Sequence, residues 1–182
     1  RSETPTLKLC AHQPERSCSR SSSEAEASAA AIGVARVVFL NYLDSGHAPD
    51  TNGVWPEGTF CAANVNEAAD ALVAILLEES ASLLLADDRN GGYGHPDHQQ
   101  VHRVAWAASE KFGVPLLQTT IDREFLSGGI ELAKGMGFEV PDDFVPADLS
   151  TWYTPTAEIT HTVDVSSVLE KRKASMNAHA TQ

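Results

Sequence analysis

Between Gly91 and His98 the chain reads Gly-Gly-Tyr-Gly-His-Pro-Asp-His, so residues able to bind a metal or move a proton follow directly on loop glycines. His95 and His98 are three apart with Asp97 between them, a spacing that lets one imidazole bind a metal while the other handles protons. Pro96 stands where a helix would begin, because its fixed φ and missing N–H suit a first helical turn. Gly91, Gly92 and Gly94 permit close backbone approach, and the Pro-Asp pair between the histidines serves no packing purpose. The same 3–4 spacing, continued to His102, also describes a polar helix face, and the pattern alone leaves both readings open.

The elements on either side position this loop. Leu83-Leu84-Leu85-Ala86 is a short apolar run that predicts a buried strand, and Val101, Val104, Ala105 and Ala108 recur at helical spacing up to a Gly113 cap. Strand, glycine loop and helix follow in order, and open parallel sheets collect ligands at the carboxyl ends of their strands. Val37 to Leu40 and Val114 to Thr120 predict two more strands, and Glu24 to Ala31, Val65 to Ser80, the stretch from Ile121 to Gly135 or Gly137 and Val168 to Ala178 predict helices. Ile159 to Val165 alternates and predicts a half-exposed strand, and His47 to Ala63 predicts a long surface loop. The expected fold class is α/β, a three-layer α/β/α Rossmann-like domain with a mostly parallel sheet.

Three ordered stretches resemble one known family. Asp88 to His102, containing the loop above, resembles the second signature of the PIG-L/LmbE-like zinc-dependent N-acetylglucosaminyl de-N-acetylases, which include the mycothiol-pathway enzymes. Arg36 to Gly46, ending in Asp44-Ser45-Gly46, resembles that family's strand with its Asp-Ser-Gly, and Lys173 to Gln182 resembles its late helix ending in His-x-[Ser/Thr]-Gln. The resemblance runs from about Glu24 to Gln182, where family members usually continue, so 24–182 is expected to be a partial deacetylase domain.

By this resemblance His98 is a zinc ligand, His95 the protonated group that assists the intermediate and the leaving amine, and Asp97 its orienting carboxylate. Tyr93 is then a hydrogen-bond donor to the developing oxyanion, and Asp44 contacts sugar hydroxyls, although an Asp at that point also suits a simple Asx turn. The family's first signature is a strand followed by His-Pro-Asp-Asp, with two zinc ligands around a general base. Here Thr6 to Ala11 is a candidate strand that delivers His12, and the sequence continues Gln13-Pro14-Glu15. His12 and Glu15 keep the ligand spacing, whereas Pro14 occupies the place of the base. The family's strand–helix–strand block between the first signature and Asp44 is also absent, since only Ser17 to Gly33 stand there.

Residues 1–23 lack apolar periodicity and carry a serine-rich tract, which predicts an irregular or degenerate N-terminal segment. At 182 residues the chain suits one domain with a real core. A net charge of −12 argues against a phosphate-tracking surface and hence against nucleic acid as partner. Cys10, Cys18 and Cys61 form neither a disulfide framework nor a four-cysteine zinc site, and no run has the length of a membrane span or the apolar core of a signal peptide, so a reducing cytoplasmic setting is expected. The expected function is zinc-dependent removal of an acyl group from an N-acetylglucosamine-type glycoside or related amide, with one Zn2+ as cofactor and a small molecule as partner. The other reading is a catalytically silent remnant that keeps the fold and a sugar-binding groove, and Pro14 makes weak turnover the expectation even for an enzyme.

Overall fold

The computed structural model describes residues 7–12, 18–139 and 148–179. They fall into two compact units, one drawn from residues 1–45, 49–63 and 163–182, the other from 46–48 and 64–162.

The first unit is built on two parallel strands, β1 (Leu7–His12) and β2 (Arg36–Leu43), with Leu7 opposite Arg36 and Cys10 opposite Phe39. The register shifts after Cys10, so that His12 lies opposite Leu43. Parallel neighbours need a crossover, and helix α1 (Cys18–Ile32) supplies it. Beside Glu24 its buried residues are small (Ala25, Ser28, Ala29), and they let α5 (Leu169–Asn177) approach closely enough for the Ser28 and Ser175 hydroxyls to hydrogen-bond at 2.6 Å. After β2 the chain turns back so that the Leu43 N–H bonds the Gly58 carbonyl at 2.9 Å, and Tyr42 stacks on buried Phe60.

The second unit repeats the strand–helix–strand logic. Strand β3 (Leu84–Asp87) pairs in parallel with β4 (Leu116–Thr119), from Leu84 opposite Leu116 to Asp87 opposite Thr119, and α3 (Pro96–Phe112) is the crossover. Helix α2 (Val65–Glu78) begins at an Asn64 cap, whose side chain accepts the Asn66 N–H at 2.8 Å, and buries Ala68, Ala69, Leu72, Ile75 and Leu76. On the facing side α3 buries Val104, Ala105 and Ala108, so alanines on both helices allow close packing. Lys111 closes the edge of this pair with a 2.7 Å bond to Asp70. Gly113, at φ 78, ends α3 in the left-handed region, where only glycine escapes the steric cost of a Cβ. Helix α4 (Arg123–Gly135) follows β4 behind an Asp122 cap.

The fold class is therefore the expected one: α/β, Rossmann-like, with parallel pairing in each unit. The strands predicted at Val37, Leu83 and Leu116 and all the predicted helices are present. Three expectations fail. The run Leu83 to Ala86, predicted as a buried strand, begins its strand at Leu84 and leaves Leu85 58% exposed, so only alternate residues are covered. The serine tract predicted as loop is helical from Cys18, because serine costs a helix only a few tenths of a kcal/mol and the crossover between parallel strands supplies the packing. Ile159 to Val165 forms no strand: an alternating pattern needs a partner edge and a core face, and Val163 is 75% exposed.

Among the described residues Leu72 is the largest fully buried apolar side chain, at 1% exposure. Leu72→Ala is expected to lower unfolding free energy by about 2–5 kcal/mol, through lost transfer energy and the cavity between α2 and α3. Urea denaturation measures this, and a loss under about 1 kcal/mol would mean that the α2–α3 contact is not a packed core.

Candidate active site

The loop from β3 to α3 is organised by a residue that sequence reasoning passed over. Asp88 is 1% exposed, and its carboxylate is surrounded by donors. Oδ1 accepts the backbone N–H groups of Asn90 and Gly92, both at 3.0 Å, and Oδ2 accepts the Thr154 hydroxyl at 3.1 Å and the Thr120 hydroxyl. Its carbonyl accepts the Gly91 N–H at 2.9 Å. The turn that results puts Gly91 at φ +66, and a Cβ there would lie 2.7 Å from the Gln99 nitrogen and 2.9 Å from the His95 carbonyl, so only glycine fits.

A second segment, Trp152 to Thr154, is sewn onto this loop. The Tyr153 N–H donates to the Gly92 carbonyl at 2.7 Å, and the Asn90 amide donates to the Tyr153 carbonyl. Arg123, in the first turn of α4, donates to the carbonyls of Trp152 at 2.7 Å and Tyr153 at 2.9 Å. Burial, the Asp88 charge and neighbouring Tyr93 together push the Tyr153 phenol above its ordinary pKa, keeping it neutral. Thr120, Arg123 and Trp152 to Thr154 lie far from the loop in sequence, and no local pattern signals them.

Helix α3 begins where Pro96 predicts, at N1, and its cap is His95. The Asp97 N–H donates to His95 Nδ1 at 3.2 Å, so this nitrogen is unprotonated and the neutral ring carries its proton on Nε2. The resemblance implies that the Asp97 carboxylate orients a protonated His95; between these two residues the Asp97 backbone N–H also reaches the His95 ring. One turn on, His98 Nδ1 meets the Asp87 carboxylate at 3.0 Å. That hydrogen bond raises the His98 pKa above its ordinary 6.5, partial burial opposes the rise, and the charges of Asp87 and Asp97 add to it.

The rings gather on one side of this helix start. His95 and His98 are 5.5 Å apart by centroid, Tyr93 lies 5.4 Å from His98 and 6.0 Å from His95, and His47 stands edge-on to His95 at 4.9 Å. Trp152 meets Tyr93 edge-on at 6.2 Å. Of the sequence-predicted site residues, Tyr93, His95, Asp97 and His98 are thus brought together, and Tyr93 keeps 44% of its surface exposed. His47, Trp152 and Asp87 join them without having been foreseen.

Asp44 is exposed after β2, in the first unit, and His12 ends β1 in that same unit. Glu15 and Pro14 lie outside the described residues. Among the described residues no three His, Cys, Asp or Glu side chains converge to hold a metal ion. His98 does fit an imidazole ligand: Asp87 holds Nδ1, which leaves Nε2 as the nitrogen to coordinate.

A group whose folded pKa is raised adds stability below its unfolded pKa and loses it as pH rises through the folded value. The His98–Asp87 contribution is thus full below about pH 6.5 and disappears above the raised His98 pKa. A proton NMR titration of the metal-free chain is expected to show His98 titrating above 6.5 and falling back in Asp87→Asn. An unchanged midpoint in the variant would show that Asp87 is not the cause.

The profile of the PIG-L family, described as GlcNAc-PI de-N-acetylase, matches residues 6–109. A 1D-myo-inositol 2-acetamido-2-deoxy-alpha-D-glucopyranoside deacetylase of Mycobacterium sp. (strain JLS) is 36% identical over 169 residues, covering 88% of this chain and 53% of its own length. Proteins of the same name from Saccharomonospora viridis and Nocardioides sp. (strain ATCC BAA-499 / JS614) are 38% and 31% identical, over 78% and 96% of this chain and 52% and 66% of theirs. The chain spans about half the length of most of these curated relatives. With a family profile over more than half of its residues and relatives of this identity over most of its length, the chain belongs to the PIG-L family.

Proposed function

We propose that this chain carries the second catalytic motif of a zinc-dependent de-N-acetylase that releases acetate from an N-acetylglucosaminyl glycoside, of the inositol-linked kind named in its relatives. The observation that carries the reading is the gathering of Tyr93, His95 and His98 around the start of α3, at the carboxyl end of a parallel strand. The relatives are named as deacetylases over nearly all of the chain's length, which supports an enzyme over a silent remnant.

In the reaction water adds to the acetamide carbonyl, the C–N bond breaks, and acetate and a free amine leave. A bound Zn2+ supplies Lewis acidity and lowers the pKa of water. His98 would hold it through Nε2, with His12 and Glu15 as the further ligands proposed from the first-signature spacing. The exposed Tyr93 phenol donates a hydrogen bond to the carbonyl oxygen as its charge develops, and such a donor is worth about 10²–10³-fold in rate. His95 would act in its protonated form: its Nε2 proton passes to the leaving amine, and the neutral ring that remains accepts the Asp97 N–H at Nδ1. Asp44 would accept sugar hydroxyls. The acidic net charge sets nucleic acid aside, and among the described residues no helix is long and apolar enough to cross a membrane. A small glycoside in a cytoplasmic setting is the partner proposed.

Pro14 cannot accept a proton, so turnover is expected to be weak. A positioned base contributes about 10²–10⁴-fold, and Gln13→Pro/Pro14→Asp/Glu15→Asp, which restores the family's first signature, is expected to raise amine release from an N-acetylglucosaminyl-inositol substrate by that order. His98→Ala should abolish the gain. Equal, robust rates from the parent and the triple variant would place the base elsewhere, and a rate indifferent to His98→Ala would sink the assignment.

A further inference from the structure

Asp87 closes strand β3, and its place is fixed by the backbone: it pairs in register with Thr119, and the carbonyl of Ala86 just before it accepts the Thr119 hydroxyl at 3.1 Å. From that fixed point it reaches α3 twice. Its carboxylate meets His98 Nδ1 at 3.0 Å, and its carbonyl lies 3.3 Å from His102 Nδ1, one helical turn further on. A strand end thus grips two imidazoles that project from the same helix face.

An imidazole with Nδ1 facing a carboxylate keeps its proton on that nitrogen, because a carboxylate only accepts. In the neutral ring the lone pair is then confined to Nε2. In the positive ring the proton that leaves first is the one on Nε2, since the other is held by the charge beside it. The carboxylate also polarises the ring and makes Nε2 a stronger donor, and rotation about the ring's own bond is restrained. A ligand imidazole needs these three properties: one tautomer, one orientation, and raised basicity. Asp87 lies outside the Gly91–His98 run, at the end of an apolar strand, where neither glycine spacing nor histidine spacing points.

We infer that Asp87 is the positioning residue that makes His98 a metal ligand, by fixing its Nδ1–H tautomer and ring orientation from the end of β3. The inference rests on the reading of His98 as a zinc ligand, but its test does not depend on turnover. Removing such a partner typically weakens metal binding about 10- to 100-fold.

The experiment compares the parent chain with Asp87→Ala and Asp87→Asn. Zinc affinity is measured by competition with a chromogenic chelator, and the His98 tautomer by nitrogen-15 NMR of the metal-free proteins, at a pH where the ring is neutral. Asp87→Ala is expected to bind zinc about 10- to 100-fold more weakly and to lose the pure Nδ1–H tautomer, while circular dichroism stays unchanged. Asp87→Asn, which keeps an acceptor oxygen without the charge, is expected to hold the tautomer and lose part of the affinity; it also serves should the alanine variant fail to fold. Zinc affinity within twofold of the parent in both variants, or an unaltered tautomer in Asp87→Ala, would overturn the inference. So would a parent that binds no zinc. Deacetylation that persists while Asp87→Ala binds zinc normally defeats the inference and spares the functional reading. Weakened zinc binding in a chain that releases no amine does the reverse.

Discussion

A carboxylate removed from water must be surrounded by donors or it destabilises the fold, and among the described residues Asp88 meets that demand with neutral donors. Two backbone N–H groups and two threonine hydroxyls converge on its two oxygens. The donors come from the loop itself, from the residue after β4, and from a segment 66 residues further along the chain. One side chain therefore closes three pieces of backbone around a point, and the cost of leaving a buried charge unsatisfied, several kcal/mol, acts on all three at once. The glycine turn, the approach of Trp152 and Tyr153, and the start of α3 all depend on it. The loop shape that presents Tyr93 and His95 follows from this constraint, with the glycines as its consequence: Gly91 has no room for a Cβ once Asp88 has pulled the turn tight.

Parallel pairing explains why polar groups gather at this loop. A parallel crossover returns the chain to the same end of the sheet, so the residue after β3 and the residue after β4 emerge side by side. Asp87 pairs with Thr119, and their successors, Asp88 and Thr120, bond to one another. The polar groups that follow two apolar strands are thus gathered by topology, before any side chain has chosen a partner. The same geometry recurs in the first unit, where β1, α1 and β2 bring His12 level with Leu43, one residue short of Asp44.

What the sequence made legible is what is local. Pro96 at N1, Gly113 as a left-handed cap and the buried stripe of α3 are each decided within a few residues, and each was readable. Tyr93, His95, Asp97 and His98 were readable because they are contiguous with the glycines. Asp88 was quoted as part of a motif and given no role, since its Thr120 and Thr154 donors are separated from it by a whole helix and more. Arg123, Trp152 and His47 were invisible for the same reason. Ile159 to Val165 shows the converse error, a local alternation taken for a strand where no edge was available to pair with it.

The two imidazoles at the head of α3 show how a fold divides labour between chemically identical groups. His95 is the cap, and a capping side chain must accept, so the Asp97 N–H claims its Nδ1 and leaves the proton on Nε2. His98 sits one turn on, beyond the unsatisfied N–H groups, and meets the Asp87 carboxylate instead; its Nδ1 must donate, which leaves the lone pair on Nε2. Rings 5.5 Å apart therefore face their surroundings with opposite character, one through a proton and the other through an electron pair. The proposed amide hydrolysis would use two such groups, one that meets the departing nitrogen and one that binds a Lewis acid. Helix position and the strand-end carboxylate set the two tautomers: the histidine at the cap presents an N–H at Nε2, and the histidine three residues later presents a lone pair there. Exchanging the two roles would require moving the helix start, which Pro96 forbids.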